Sequence, residues 1–167
     1  MPFTPFHLGP GAAIKAVIPA RFSFTVFCYA QVVTDLEPAY YMLRGQYPVH
    51  RFFHTYLGAT VVGAFCAVSG RPLCEWLLRL WPSPLFSPLN RFSTGPSRIP
   101  WGVAFLTAFV GTYSHVFLDS IMHPDMAPLS PFTVANPMLH AVNVGLLHVF
   151  CLALGVVGAV VLSRRRD

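Results

Sequence analysis

Apolar residues fall into long runs along this chain, and most of the polar ones collect at the ends of those runs. The main runs cover residues 20–34, 57–69, 100–122 and 138–162. A helix needs about 20 apolar residues to cross a bilayer, so the last two are long enough, and 57–69 becomes long enough if its helix begins at Pro48. The run at 20–34 is short for a span. A still shorter piece, 12–18, lies between Gly9-Pro10-Gly11 and Pro19 and fits an interfacial or re-entrant helix. Pro38 is expected to stop the helix that precedes it, and Arg71-Pro72 to end the next one. Leu73, Trp76, Leu77 and Leu80 then recur at helical spacing, with Glu75 and Arg79 four apart, which predicts an amphipathic helix lying on the membrane surface. Segments 36–50, 82–100 and 123–137 read as loops, the last two rich in proline. The pattern predicts an all-α membrane protein with about four transmembrane helices, the first short or re-entrant, plus an interfacial amphipathic helix. Residues 1–167 form a single integral membrane domain in this reading.

Composition agrees with the pattern. The chain is 54% hydrophobic and 10% charged, with a mean hydropathy of +0.57, whereas soluble domains carry about 25% charged residues. The net charge of +5 does not point to nucleic acid, because Arg164, Arg165 and Arg166 follow an apolar run as a membrane flank. The N-terminus lacks the basic region and cleavage site of a signal peptide. Cys28, Cys66, Cys74 and Cys151 form no Cys-x-x-Cys pair and read as unpaired apolar residues. Basic residues in 71–98 and at the C-terminus, against none in 123–137, put the C-terminus in the cytoplasm. Asp35, Glu37, His50, His54, His123 and Asp125 then share the outer side. Arg44 and Arg51 lie there too, against the charge rule.

The candidate chemistry centres on residues 111–125. His115 and Asp119 are four apart, about 40° from each other on one helical face, and His123 falls a turn further on. A carboxylate in an apolar helix is costly unless it is paired or bound to a metal. Carboxylate with imidazole suits a divalent metal, zinc first, with manganese or iron as alternatives. His115 and Asp119 lead the ligand set, followed by Asp35 and His54 and then His50, which lies four before His54 on the expected helix. His7 joins only if the N-terminal piece returns to the outer face, in which case 12–19 and 20–34 form a helical hairpin. Glu37 or Asp125 is the expected general base or proton shuttle. Arg44 and Arg51 are the expected holders of an anionic substrate. His140 and His148 read as packing or interface residues. A lone His–Asp pair can also be a structural hydrogen bond between membrane helices.

Four short motifs occur in order: Pro-Phe-Thr-Pro-Phe-His7, Asp35-Leu-Glu37, His50-Arg51-x-x-His54-Thr55 and Ser114-His115-x-x-x-Asp119. Together they resemble the YdjM-type family of inner-membrane hydrolases assigned as metal-dependent, which is distantly similar to zinc-dependent phospholipase C-like enzymes. Phe52 stands where that family's arginine motif carries glycine, and the two histidines are one residue closer together. The resemblance implies a bacterial inner-membrane location and metal-assisted hydrolysis of an ester or phosphoester, with membrane lipids as neighbours and a lipid or other anionic molecule as substrate. The alternative is a non-enzymatic metal or ion carrier, or an assembly partner with a structural His/Asp cluster. A carrier needs a polar path through both leaflets, and the inner halves of the spans are almost wholly apolar.

Overall fold

The computed structural model describes residues 5–80 and 98–164, which are helical with no strand among them. Five α-helices follow in order: α1 (Leu8–Val17), α2 (Phe24–Leu43), α3 (Tyr56–Leu80), α4 (Trp101–Met122) and α5 (Val144–Arg164). Short 3-10 turns at Pro5–His7, Pro19–Arg21 and Phe52–His54 stand before α1, α2 and α3. Three helices, α3, α4 and α5, are long and apolar enough to cross a membrane. The fourth long helix, α2, is not apolar enough to join them, because Gln31, Asp35 and Glu37 interrupt it.

At 1.5 Å per residue α1 is roughly 15 Å long, half a hydrocarbon core of about 30 Å. Lys15 turns the chain around at its end. Its Nζ donates to the carbonyl oxygens of Pro19 and Phe22, each at 2.7 Å. The chain then runs back along α1 as α2, whose first turn is capped by Ser23. The Ser23 N–H donates in turn to Thr107 Oγ1 on α4. α1 and α2 therefore form the hairpin on which the position of His7 depended, and His7 arrives at the level of Gln31 and Asp35.

α3 and α4 run antiparallel and pack closely. A Cβ on Gly63 would come 3.0 Å from Thr112 Oγ1, and Thr60 Oγ1 lies 2.7 Å from the Tyr113 hydroxyl. α5 packs instead against α1. The N-terminal end of α3, the C-terminal end of α4 and the N-terminal end of α5 lie together: Tyr56 N–H donates to Pro128 O, and His140 N–H donates to Ile121 O.

Several expectations from the sequence need correction. Pro38 does not stop α2; it is buried inside it. The turn beyond it is held from outside, because the Glu37 carboxylate accepts the backbone N–H groups of Arg51 and Phe53 at 3.0–3.1 Å. Pro72 likewise lies inside α3, so Leu73–Leu80 continue the span and are not a separate surface helix. Two tertiary contacts hold this stretch. Arg71 Nε donates to Ile99 O, and Glu75 accepts the Ile99 N–H, both at 2.7 Å. Glu75 pairs with Arg71 at 3.2 Å, the partner one turn before it. Finally, no helix begins at Pro48. His50 sits in a segment without regular secondary structure, His54 in a 3-10 turn, and α3 starts at Tyr56. The expected loop at 82–97 with Arg91, and Arg165 and Arg166 of the C-terminal triplet, lie outside the described residues. The four cysteines are free thiols.

Candidate metal centre

The site is assembled from α2, α4 and three non-helical pieces. A helical repeat of 3.6 puts residues four apart on one face. α2 thus presents Gln31 and Asp35 to the same neighbour, and α4 presents His115 and Asp119. The turn Pro5–His7, the segment 49–55 and the segment after α4 bring in His7, His50, His54, His123 and Asp125. Asp35, His54, His115 and Asp119 are all buried, with ligand-capable atoms within 4.8 Å of one another; His50, His123 and Asp125 form a second such group.

Asp119 is the hub. Its Oδ2 lies 3.1 Å from His115 Nε2 and 3.5 Å from His54 Nε2. Its Oδ1 lies 3.3 Å from His7 Nε2 and 3.7 Å from His123 Nε2. His115 Nε2 is also 3.4 Å from Asp35 Oδ1. The Nε2 atoms of His7, His54 and His115, and Asp119 Oδ1, are buried without a hydrogen-bond partner among the described residues.

Two accounts of this cluster, a set of ion pairs and a set of metal ligands, differ in the separations they call for. Hydrogen-bonded ion pairs close to about 2.7–2.9 Å. Two ligands of one tetrahedral ion, each about 2.0–2.2 Å from it, stand roughly 3.4 Å apart. Four of the contacts around Asp119 and Asp35, at 3.3–3.7 Å, fall near the second spacing, while His115–Asp119 at 3.1 Å also fits a hydrogen bond. Unpaired buried polar atoms are otherwise expensive, of order 1–3 kcal/mol each, and here they converge on one volume.

The outward faces of three rings are fixed. His115 Nδ1 lies 2.6 Å from Gln31 Oε1, and the Gln31 amide N–H donates to Gly111 O at 3.1 Å. The amide is thereby oriented with its oxygen toward the ring, so His115 carries its proton on Nδ1 and turns the Nε2 lone pair inward. His54 Nδ1 meets Glu37 Oε2 at 3.2 Å, and His50 Nδ1 meets Asp125 Oδ1 at 2.8 Å. Partners of this kind, behind the ligand ring, set the tautomer and the aim of metal-binding histidines. Burial pushes the His7 ring down to about 3, with Asp119 opposing the shift. Burial, helped by neighbouring His54, also holds His50 below its ordinary value. Both are neutral near pH 7, the form a metal requires.

All six residues expected as ligands, Asp35, His54, His115, Asp119, His50 and His7, meet in this cluster. Glu37 and Asp125, expected as a base or shuttle, stand behind His54 and His50. Asp125 also accepts the N–H groups of Val49 and His50, as Glu37 does those of Arg51 and Phe53. Arg51 lines a cavity of about 410 Å³ together with His50, Phe52, Asp125 and Pro131. Its guanidinium stacks 3.6 Å over the Tyr41 ring, and its Nε donates to Pro48 O. Arg44 is exposed in the turn after α2, over Tyr40, and makes no hydrogen bond or ion pair to the cluster among the described residues. His140 is exposed, and His148 packs on the Phe6 ring at 4.5 Å. Gln31 was not anticipated. Its signal in the sequence was a lone amide in an apolar run, four residues before Asp35.

Comparison with known protein families, with characterised proteins and with solved structures finds no match. The functional reading therefore rests on these residues and their geometry.

Proposed function

We propose that this protein is a membrane-embedded, metal-dependent hydrolase of an ester or phosphoester, acting on a lipid or another anionic substrate. The observation that carries the reading is the convergence of unpartnered, buried Nε2 atoms on two aspartates, with rings aimed by Gln31, Glu37 and Asp125. The donor set fits zinc, with manganese or iron as alternatives. Asp35, His54, His115 and Asp119 would hold it. A divalent ion bound there would lower the pKa of a coordinated water to about 7 and polarise a substrate oxygen.

The rest of the work falls to the chain. Glu37 and Asp125 accept the Nδ1–H of His54 and His50 and so keep those rings aimed. Arg51, beside the cavity that reaches His50 and Asp125, supplies a positive group for an anionic substrate. Arg44 has no such position. In the orientation we propose, the site faces the outer side of a bacterial inner membrane. Arg71, Arg79, Arg98 and Arg164 then lie toward the cytoplasm, in line with the positive-inside tendency.

The test is metal content. The protein is purified in mild detergent without added metal or a His-tag, and elemental analysis compares it with His115→Ala and Asp119→Ala. Bound zinc, manganese or iron in the wild type, lost in both variants, is expected. It would be followed by a screen of phosphoesters and lipids. A folded wild type that stays metal-free on titration removes the hydrolase reading and leaves a structural or partner-binding cluster.

A further inference from the structure

We propose that the centre is binuclear, with Asp119 bridging two metal ions, and that its substrate class is therefore the phosphoester. The inference rests on the metal-dependent reading above and sharpens it.

The two oxygens of Asp119 face different sets of groups. Oδ2 faces His54 and His115, and Asp35 approaches the same His115 nitrogen. Those three residues and Oδ2 make four donors, enough to hold one ion that takes its water as a fifth ligand. A single ion there leaves the other side unexplained. His7 is 3% exposed, its Nε2 lies 3.3 Å from Oδ1, and neither atom has a hydrogen-bond partner among the described residues. His123 Nε2 approaches the same oxygen from the end of α4 at 3.7 Å. The His50 ring stacks on His123 with centroids 4.3 Å apart, and with its Nδ1 held by Asp125 the nitrogen it can offer to this side is Nε2.

Each set draws on separate parts of the chain. The Oδ2 set comes from α2, α4 and the turn before α3. The Oδ1 set comes from the turn before α1, the segment at 50 and the end of α4. A carboxylate between two such sets is the arrangement that holds two ions about 3.5–4 Å apart, where they clamp the attacking and leaving oxygens of an in-line displacement at phosphorus. Arg51 lines the cavity that reaches His50 and, with its Nε held by Pro48 O, has its outer guanidinium N–H groups to offer a phosphate.

Metal stoichiometry tests this without reference to activity. Zinc-loaded wild type in detergent, freed of excess metal, is expected to carry two equivalents by elemental analysis, and His7→Gln one. The manganese-loaded wild type gives a reading that needs no variant: an exchange-coupled pair in its paramagnetic resonance spectrum. One zinc equivalent in the wild type, unchanged by His7→Gln, overturns the binuclear centre and leaves the hydrolase reading standing. Two uncoupled manganese ions overturn the bridge. A protein that takes up no metal overturns both readings.

Discussion

Two regions of the bundle hold their helices together by opposite means. Between α2, α3 and α4 the contact at the site end is made by carboxylates, imidazoles and an amide. Between α1 and α5 it is made by the absence of side chains. A Cβ on Gly9 would come 1.9 Å from Cys151 O, and one on Gly158 would come 2.6 Å from the Ala12 carbonyl carbon. Small residues let apolar helices approach closely where no solvent drives them together. The polar region carries buried groups that stay only partly satisfied among the described residues. The seam carries no chemistry and packs tightly. The two are coupled, because α1 begins immediately after His7. The seam sets the height of α1, and the height of α1 sets whether His7 reaches Asp119.

The sharpest break in this comparison is at the hub. Asp119→Asn keeps the shape of the side chain and removes its charge from between four imidazoles. Metal affinity is expected to fall by more than the roughly 10–100-fold that loss of an outer partner costs. Equilibrium dialysis against zinc measures it. Retention of wild-type affinity would mean that Asp119 is not a ligand.

The next largest effect comes from the seam. Gly158→Val puts a branched side chain where a single Cβ already meets Ala12 backbone atoms at 2.6–2.7 Å. Overpacking of this kind costs typically 1–3 kcal/mol, and thermal unfolding in detergent should show it. The variant is also expected to lose the metal equivalent that depends on His7 and keep the one held by Asp35, His54 and His115. Gly102→Ala, where nothing lies within 4 Å, is the control and should leave both unchanged. Equal loss of both metals in Gly158→Val would show that the two regions are not separable.

A smaller effect tests the outer support. Gln31→Leu removes the acceptor for His115 Nδ1 and keeps the apolar volume of α2. Metal affinity is expected to drop by roughly 10–100-fold with little change in fold. An unchanged affinity would mean that His115 needs no help to aim Nε2.

The polar region was more legible in the sequence than the seam. His115 and Asp119 share a helical face because both lie in one uninterrupted helix, where spacing alone decides. Asp35 and His54 could be added because charged or ionisable groups at membrane depth need partners. Helix ends were legible only where nothing else held them. Pro38 and Pro72 carry the local signal to stop, and both were overridden by distant groups, the loop N–H groups on Glu37 and Ile99 on Arg71 and Glu75. The helical spacing of His50 and His54 misled for the same reason. Asp125 and Glu37 hold that segment by its backbone N–H groups, so it reaches the site as an irregular stretch and a 3-10 turn and not as an α-helix. The seam has no motif at all, since its glycines are scattered over α1 and α5 and their meeting depends on where the chain turns back.

The smallest effect is a dependence on pH, and it separates the His7 side from the rest. In the metal-free protein, burial lowers the His7 ring from 6.5 to about 3, with Asp119 opposing. The unfolded chain therefore binds a proton that the folded chain refuses between those two values. Stability rises with pH wherever the unfolded state holds more protons. The contribution of His7 is thus fully present above about pH 6.5 and is lost as the pH falls toward 3. His7→Gln has no such group, so its loss of stability on acidification should be shallower than the wild type's across that window. The difference between the two curves isolates His7 from the other titrating groups, which both proteins share. Parallel curves for the two metal-free proteins would mean that His7 is solvated, and that α1 does not hold it against Asp119.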